Sequence, residues 1–156
     1  MDPYTLLKAL HVVGATVLLG TGGGIAFFML MAHRTRDPAL IAHTAGIVVV
    51  ADTVFTASAV VLQPLTGAAL AHRAGFPLLS GWVGLSLALY VLTGLCWLPV
   101  VWIQLRLRDL AARAVVGGTP LPASYFRLFR VWFALGFPAF AAVLAIVWLM
   151  VAKPAF

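Results

Sequence analysis

Residues 4–32 read YTLLKALHVVGATVLLGTGGGIAFFMLMA. From Ala9 to Ala32 there is no charged residue, and the one titratable side chain is His11. A run of this length exceeds the roughly 20 apolar residues that cross a hydrocarbon core as a helix. The backbone there must be helical, because lipid offers no partner to a free N–H or C=O. An imidazole at membrane depth, on a helix thinned by glycines, points to a site rather than a plain anchor.

Three further stretches have the same character. Segments at about 6–32, 41–62, 81–103 and 131–151 each suffice to span, and none shows the alternating polarity of a barrel strand. The expected fold class is therefore all-α: a four-helix transmembrane bundle in one membrane domain, residues 1–156. The composition agrees, with 63% hydrophobic and 9% charged residues and a mean hydropathy of +1.09. A soluble domain carries about 25% charged residues, and this length leaves no room for one beside the spans. The N-terminus reads as a retained span, since Asp2 opens it and its apolar run is twice the length of a signal-peptide core.

The formal net charge is +6. The cations flank the apolar segments and form no basic stripe interleaved with aromatics, so lipid is the expected partner and nucleic acid is not. Arg34, Arg36, Arg106, Arg108, Arg113, Arg127 and Arg130 fall on loops one and three, against Lys8, Arg73 and Lys153 opposite. The positive-inside rule makes loops one and three cytoplasmic and both termini periplasmic in a bacterial inner membrane. Cys96, the single cysteine, reads as a small buried apolar residue.

Loop two, residues 64–80, is too apolar for a free loop. Pro64 is expected to bend or end the second span, with a short interfacial helix after it. Asp109 and Arg113 have the i,i+4 spacing of a surface ion pair. Gly117-Gly118-Thr119-Pro120 should break the third helix, and Ser124 should cap the fourth. Gly20-x-x-x-Gly24, Ala42-x-x-x-Gly46 and Ser80-x-x-x-Gly84 are expected to admit close helix neighbours, and a homodimer is compatible with them.

Imidazole at His11 can ligate haem iron, copper or zinc, or relay protons. Lys8, one turn outward, could meet a haem propionate or snorkel. His72, with Arg73 beside it, is the other histidine expected on that side, so loop two could fold back to supply a second ligand. Gln63, Thr66 and Tyr90 could line the same pocket. His33 and His43 belong to the opposite end, where interfacial solvation is their expected role. Asp52 lies mid-span in Val50-Ala51-Asp52-Thr53-Val54-Phe55-Thr56. A carboxylate at that depth costs about 2.5–3.5 kcal/mol on insertion scales. Asp52 should face the bundle interior, as a proton relay, as an anchor behind a ligand, or as a structural tie between helices. No hydrolase set, phosphate loop or paired carboxylate is present.

Leu7-Lys8-Ala9-Leu10-His11-Val12-Val13-Gly14 resembles the first helix of a bacterial group that includes the copper-resistance D family and HemJ-type protoporphyrinogen oxidases. More closely, the whole chain is similar to an uncharacterised bacterial family of small four-helix integral membrane proteins. That similarity is carried by Leu62-Gln63-Pro64-Leu65-Thr66-Gly67, by Trp97-Leu98-Pro99-Val100-Val101-Trp102-Ile103-Gln104, and by Trp148-Leu149-Met150-Val151-Ala152-Lys153-Pro154. The HemJ likeness implies a haem b ligand at His11. That enzyme type has a functional lysine inside its third span, which this chain lacks, so electron transfer or haem carriage is implied rather than protoporphyrinogen oxidation.

The leading expectation is a haem b membrane protein in redox chemistry near the outer face, possible as an oxidoreductase. His11 would be an axial ligand, His72 a second, Lys8 or Arg73 a propionate partner, and quinone or a redox protein the electron partner. One alternative is copper handling with His11 and Met29 or Met31. Another is a cofactor-free accessory or scaffold subunit.

Overall fold

The structure is a computed structural model and describes residues 2–155. Four helices account for nearly all of them: α1 Pro3–Thr35, α2 Pro38–Arg73, α3 Gly81–Gly117 and α4 Ala123–Ala152. All four are long and apolar enough to cross a membrane, and no strand occurs among the described residues. At 1.5 Å per residue, 30 to 37 residues extend beyond a roughly 30 Å hydrocarbon core. The four-helix expectation holds, and each helix is longer than its apolar stretch.

The helix starts are local chemistry. Asp2 caps α1, accepting from the Thr5 N–H at 3.2 Å and the Thr5 hydroxyl at 3.1 Å, with Pro3 at the first position. The N–H groups of Thr5 and Tyr4, aided by the charge of Arg73, hold the Asp2 carboxyl below its ordinary pKa. Asp37 repeats this device for α2, accepting from Ala39 N–H at 2.8 Å, with Pro38 first in the helix. Between them Arg36 sits in the left-handed region at φ 56°, which turns the chain within two residues and makes α1 and α2 antiparallel neighbours. Gly118, at φ 58°, ends α3 at the expected break. The start of α4 differs from expectation: Pro122 stands at the cap, and no side-chain hydrogen bond from Ser124 closes the turn. Asp109 pairs with the adjacent Arg108 at 2.8 Å rather than with Arg113, because the guanidinium reaches Oδ1 through both Nε and Nη2.

The second span corrects the reading of loop two. α2 continues through Pro64 to Arg73, and no separate interfacial helix follows; the connection is only residues 74–80. Pro64 has no N–H, so the carbonyl four residues back, on Val60, loses its helical partner. The Tyr90 hydroxyl of α3 donates to that carbonyl. A neighbour that satisfies the freed group lets a membrane helix run through proline. Tyr90→Phe is expected to destabilise the bundle by about 1–3 kcal/mol, the cost of a buried carbonyl left unpaired. In a Pro64→Ala background the same change should cost much less, since residue 64 then supplies the missing N–H. Equal costs in the two backgrounds, read by unfolding in detergent, would refute this account.

Packing is unequal along the bundle axis. The hydrophobic core comprises Ile25, Met29 and Ala32 of α1, Ile41, Ala45 and Val48 of α2, Ile103, Leu107 and Ala111 of α3, and Tyr125, Phe129 and Trp132 of α4. All of it lies toward the arginine-rich end. There α2 packs on α3 through its first half, while α1 follows α2 and α3 follows α4. Toward the end that bears both termini, the buried side chains are mainly small or polar, such as Ala59, Gln63, Ala71, Ser86 and Ala142. That end is closed by Phe76, which meets Trp82 edge-on at 5.1 Å and carries the Lys153 ammonium 6.0 Å above its ring.

The glycine motifs behave differently from expectation. A Cβ on Gly20 or Gly46 would meet nothing within 4 Å, and on Gly24 only Phe28 of its own helix. Gly84 accommodates the loop backbone of Leu79 rather than a helix. The glycines against which a neighbouring helix packs too closely for a side chain are Gly14 and Gly67, both at the terminal end.

Candidate functional site

His11 is drawn into the contact between α1 and the last turns of α2. Its Nδ1 lies 2.8 Å from Thr66 Oγ1. The Thr66 hydroxyl has one proton, and the Leu62 carbonyl stands 2.8 Å from it, one turn back. All these groups are satisfied when Nδ1–H donates to Oγ1 and Oγ1–H donates to Leu62 O. This arrangement puts the proton on Nδ1 and leaves Nε2 with its lone pair, the state in which imidazole binds a metal or accepts a proton. The ring lies against Gly67, where a Cβ would come within 3.0 Å of its Cε1.

Gln63 lies one turn before Gly67 on the same face. Its Nε2 donates to the His11 carbonyl at 2.7 Å and fills the space left by the missing side chain of Gly14. Its amide therefore fixes the helix that carries the imidazole, instead of lining an open pocket. His11, Gln63 and Thr66 thus lock two helices together and set the orientation of one ring.

The other expected members do not join this cluster. Lys8 is exposed, one turn toward the N-terminus of α1. Arg73 is exposed at the end of α2, where its charge reaches Asp2. His72 is exposed and lies five residues beyond Gly67, about 140° around the helix from the face that meets His11. It misses His11 because residues 64–73 continue α2 and no loop folds back. Met29 is buried in the core at the opposite end, roughly 27 Å along α1 from His11, so the copper set is not assembled either. Among the described residues no three His, Cys, Asp or Glu side chains come together as a metal site. His33 is also placed otherwise than expected: it stacks on Phe129 at 3.6 Å between ring centroids, with Nδ1 3.3 Å from the Tyr125 hydroxyl. It pins α1 to α4.

The second polar centre is mid-span. Asp52 opens a π turn, Asp52–Thr56, in which the Asp52 carbonyl accepts from Ala57 N–H five residues on. Such a turn inserts one extra residue and rotates the following side chains relative to an α-helix. Asp52 is 4% exposed and faces the interior, as its depth requires. Its Oδ1 accepts from the Trp97 indole N–H at 3.2 Å, a partner on α3 that hydropathy gave no reason to single out.

The model of one family, described as predicted integral membrane protein (DUF2269), matches residues 5–154, which takes in all four helices. The chain belongs to that family. It is thus an integral, multi-pass membrane protein, and its four helices are its spans. No curated protein and no solved structure matches the chain. As a family of integral membrane proteins, it makes the bilayer the medium in which both polar centres must be read. In that medium His11 and Asp52 have no bulk water to satisfy them, and the groups described above are their partners.

Proposed function

We propose that this protein binds haem b in the membrane, with His11 Nε2 as the protein ligand to iron, and takes part in redox chemistry. The carrying observation is the tie from His11 Nδ1 through Thr66 to the Leu62 carbonyl. Ligating histidines characteristically donate their second ring N–H to such a partner, which fixes the tautomer and the ring plane. The donor set fits a haem held by one histidine. His72 lies on another face of its helix, so the chain supplies one ligand. Lys8 and Arg73, both exposed near the same end, offer cations to propionates. Haem supplies one-electron chemistry when bound; Thr66 and Gln63 hold the ligand, and the apolar helices exclude water.

Seven of the eight arginines at one end support a bacterial inner-membrane topology with both termini periplasmic. His11 then lies near the periplasmic face, within reach of quinone or a redox partner protein. The test is the visible spectrum of the purified protein, oxidised and reduced, with and without carbon monoxide. The expected result is about one haem per chain, carbon monoxide binding by the reduced form, loss of haem in His11→Ala and retention in His72→Ala. A colourless protein after haem is supplied would overturn the reading. A two-histidine spectrum that persists in His72→Ala would place the second ligand on another copy, in a homodimer.

A cofactor-free accessory subunit is the second reading. One observation favours it: His11, Gln63 and Thr66 are complete as a helix lock without any ligand.

A further inference from the structure

The π turn in α2 holds the only carboxyl in the uncharged middle stretch of a span. Asp52 stands 14 residues into a helix of 36, far from either end. It is 4% exposed and Thr56, at the other end of the turn, is 6% exposed. Only one carboxyl oxygen has a partner, the neutral indole of Trp97. Among the described residues Oδ2 has no hydrogen-bond partner, and neither has Thr56 Oγ1. Six other hydroxyls on the helices are held locally. Thr16, Thr53, Ser58, Thr66, Ser86 and Thr93 each return the hydroxyl to the carbonyl four residues back. Thr56 does not, and its carbonyl four back, on Asp52, bonds to Ala57 across the π turn.

No charge balances a carboxylate here. On α1 no titratable residue lies between His11 and His33. On α2 Asp52 is alone between His43 and His72. On α3 only Cys96 falls between Tyr90 and Arg106, and on α4 none falls between Arg130 and Lys153. An unpaired charge in such a medium is strongly disfavoured relative to the neutral acid. The acid form has an Oδ2–H to give, and the acceptor without a partner on the same turn is Thr56. The Thr56 hydroxyl can accept from that acid, and when the proton leaves it can turn to donate to the carboxylate. A metal cation would need several more oxygens than these two offer.

We propose that Asp52 is a proton-binding site at the membrane midplane, where Oδ2 takes up and releases one proton beside Thr56, whose oxygen accepts from the acid and whose hydroxyl donates to the carboxylate, while Trp97 holds Oδ1. The indole N–H can hold Oδ1 in either state, so the proton comes and goes without unpacking α2 from α3. The proposal does not depend on haem at His11, and a colourless protein leaves it intact.

The test is labelling of the full-length protein in liposomes with dicyclohexylcarbodiimide, which reacts with a protonated carboxyl in an apolar setting. The adduct is read by peptide mass at pH 6 and pH 9, with and without sodium. The expected result is one adduct at Asp52, at least fivefold more at pH 6 than at pH 9, indifferent to sodium and missing in Asp52→Asn. Removing the donor to the carboxylate in Trp97→Phe should preserve labelling to higher pH. Equal labelling at both pH values would mark a permanently neutral structural tie and overturn the proposal. So would no labelling at either pH, and sodium protection would assign the site to a metal cation instead. Wild-type protein carries the decisive comparison, so a variant that fails to fold leaves it standing.

Discussion

Gly14→Ala is expected to weaken the folded bundle by about 1–3 kcal/mol, although it adds a single methyl group to a helix and improves helix propensity. The reason is the neighbour across the interface. The added Cβ would stand 2.5 Å from Gln63 Nε2. Gln63 is buried, and its amide is held by the 2.7 Å bond to the His11 carbonyl. To make room it must give up that bond and leave an amide unpaired in an apolar setting, or α1 must move away from α2. Either response disturbs the turn that carries His11. The two positions should therefore be coupled. In a Gln63→Ala background, Gly14→Ala meets open space and should cost little. A four-variant cycle of thermal unfolding in detergent measures this, and a glycine change equally costly in both backgrounds would show that the two helices do not touch there.

Met29→Ala is expected to be the larger loss, roughly 2–5 kcal/mol, the usual range for truncating a fully buried core side chain. Met29 is 1% exposed and packs at the arginine-rich end among Ile25, Ala45 and Leu107 of the core. Leu95→Ala, at a residue 66% exposed to the surrounding lipid, should stay within about 0.5 kcal/mol. Hydropathy does not distinguish the two positions, since both lie in uniformly apolar runs. Comparable losses at Met29 and Leu95 would contradict the location of the core.

That contrast also explains what could be read from the chain beforehand. Crossing a bilayer demands about twenty apolar residues, so the four spans and the interior-facing Asp52 follow from composition alone. Which face of each span meets another helix does not follow, because lipid-facing and helix-facing residues are equally apolar. This is why Gly20 and Gly24 resembled an interface and are not one in this chain, while Gly14 and Gly67 are. Pro64 read as a terminator because the sequence displays the missing N–H. The compensating Tyr90 hydroxyl lies 26 residues away and becomes a partner only once α3 has packed. The reach assigned to His72 failed for the same reason: with α2 unbroken, its helical phase carries it off the His11 face. Trp97, the partner of Asp52, lies mid-span among apolar residues, where hydropathy does not mark an indole as the donor a carboxyl needs.

The one-sided core has a mechanical consequence. Both termini emerge at the end where mainly small and polar side chains hold the helices together, and the buried aromatic residues sit at the far end. A force applied through the termini loads these contacts one after another, as in opening a zip, so each rupture is small. A force applied through the Arg36 and Thr119 turns loads the Met29, Leu107 and Tyr125 layer first. The same protein is thus soft when pulled from its ends and stiff when pulled from its turns.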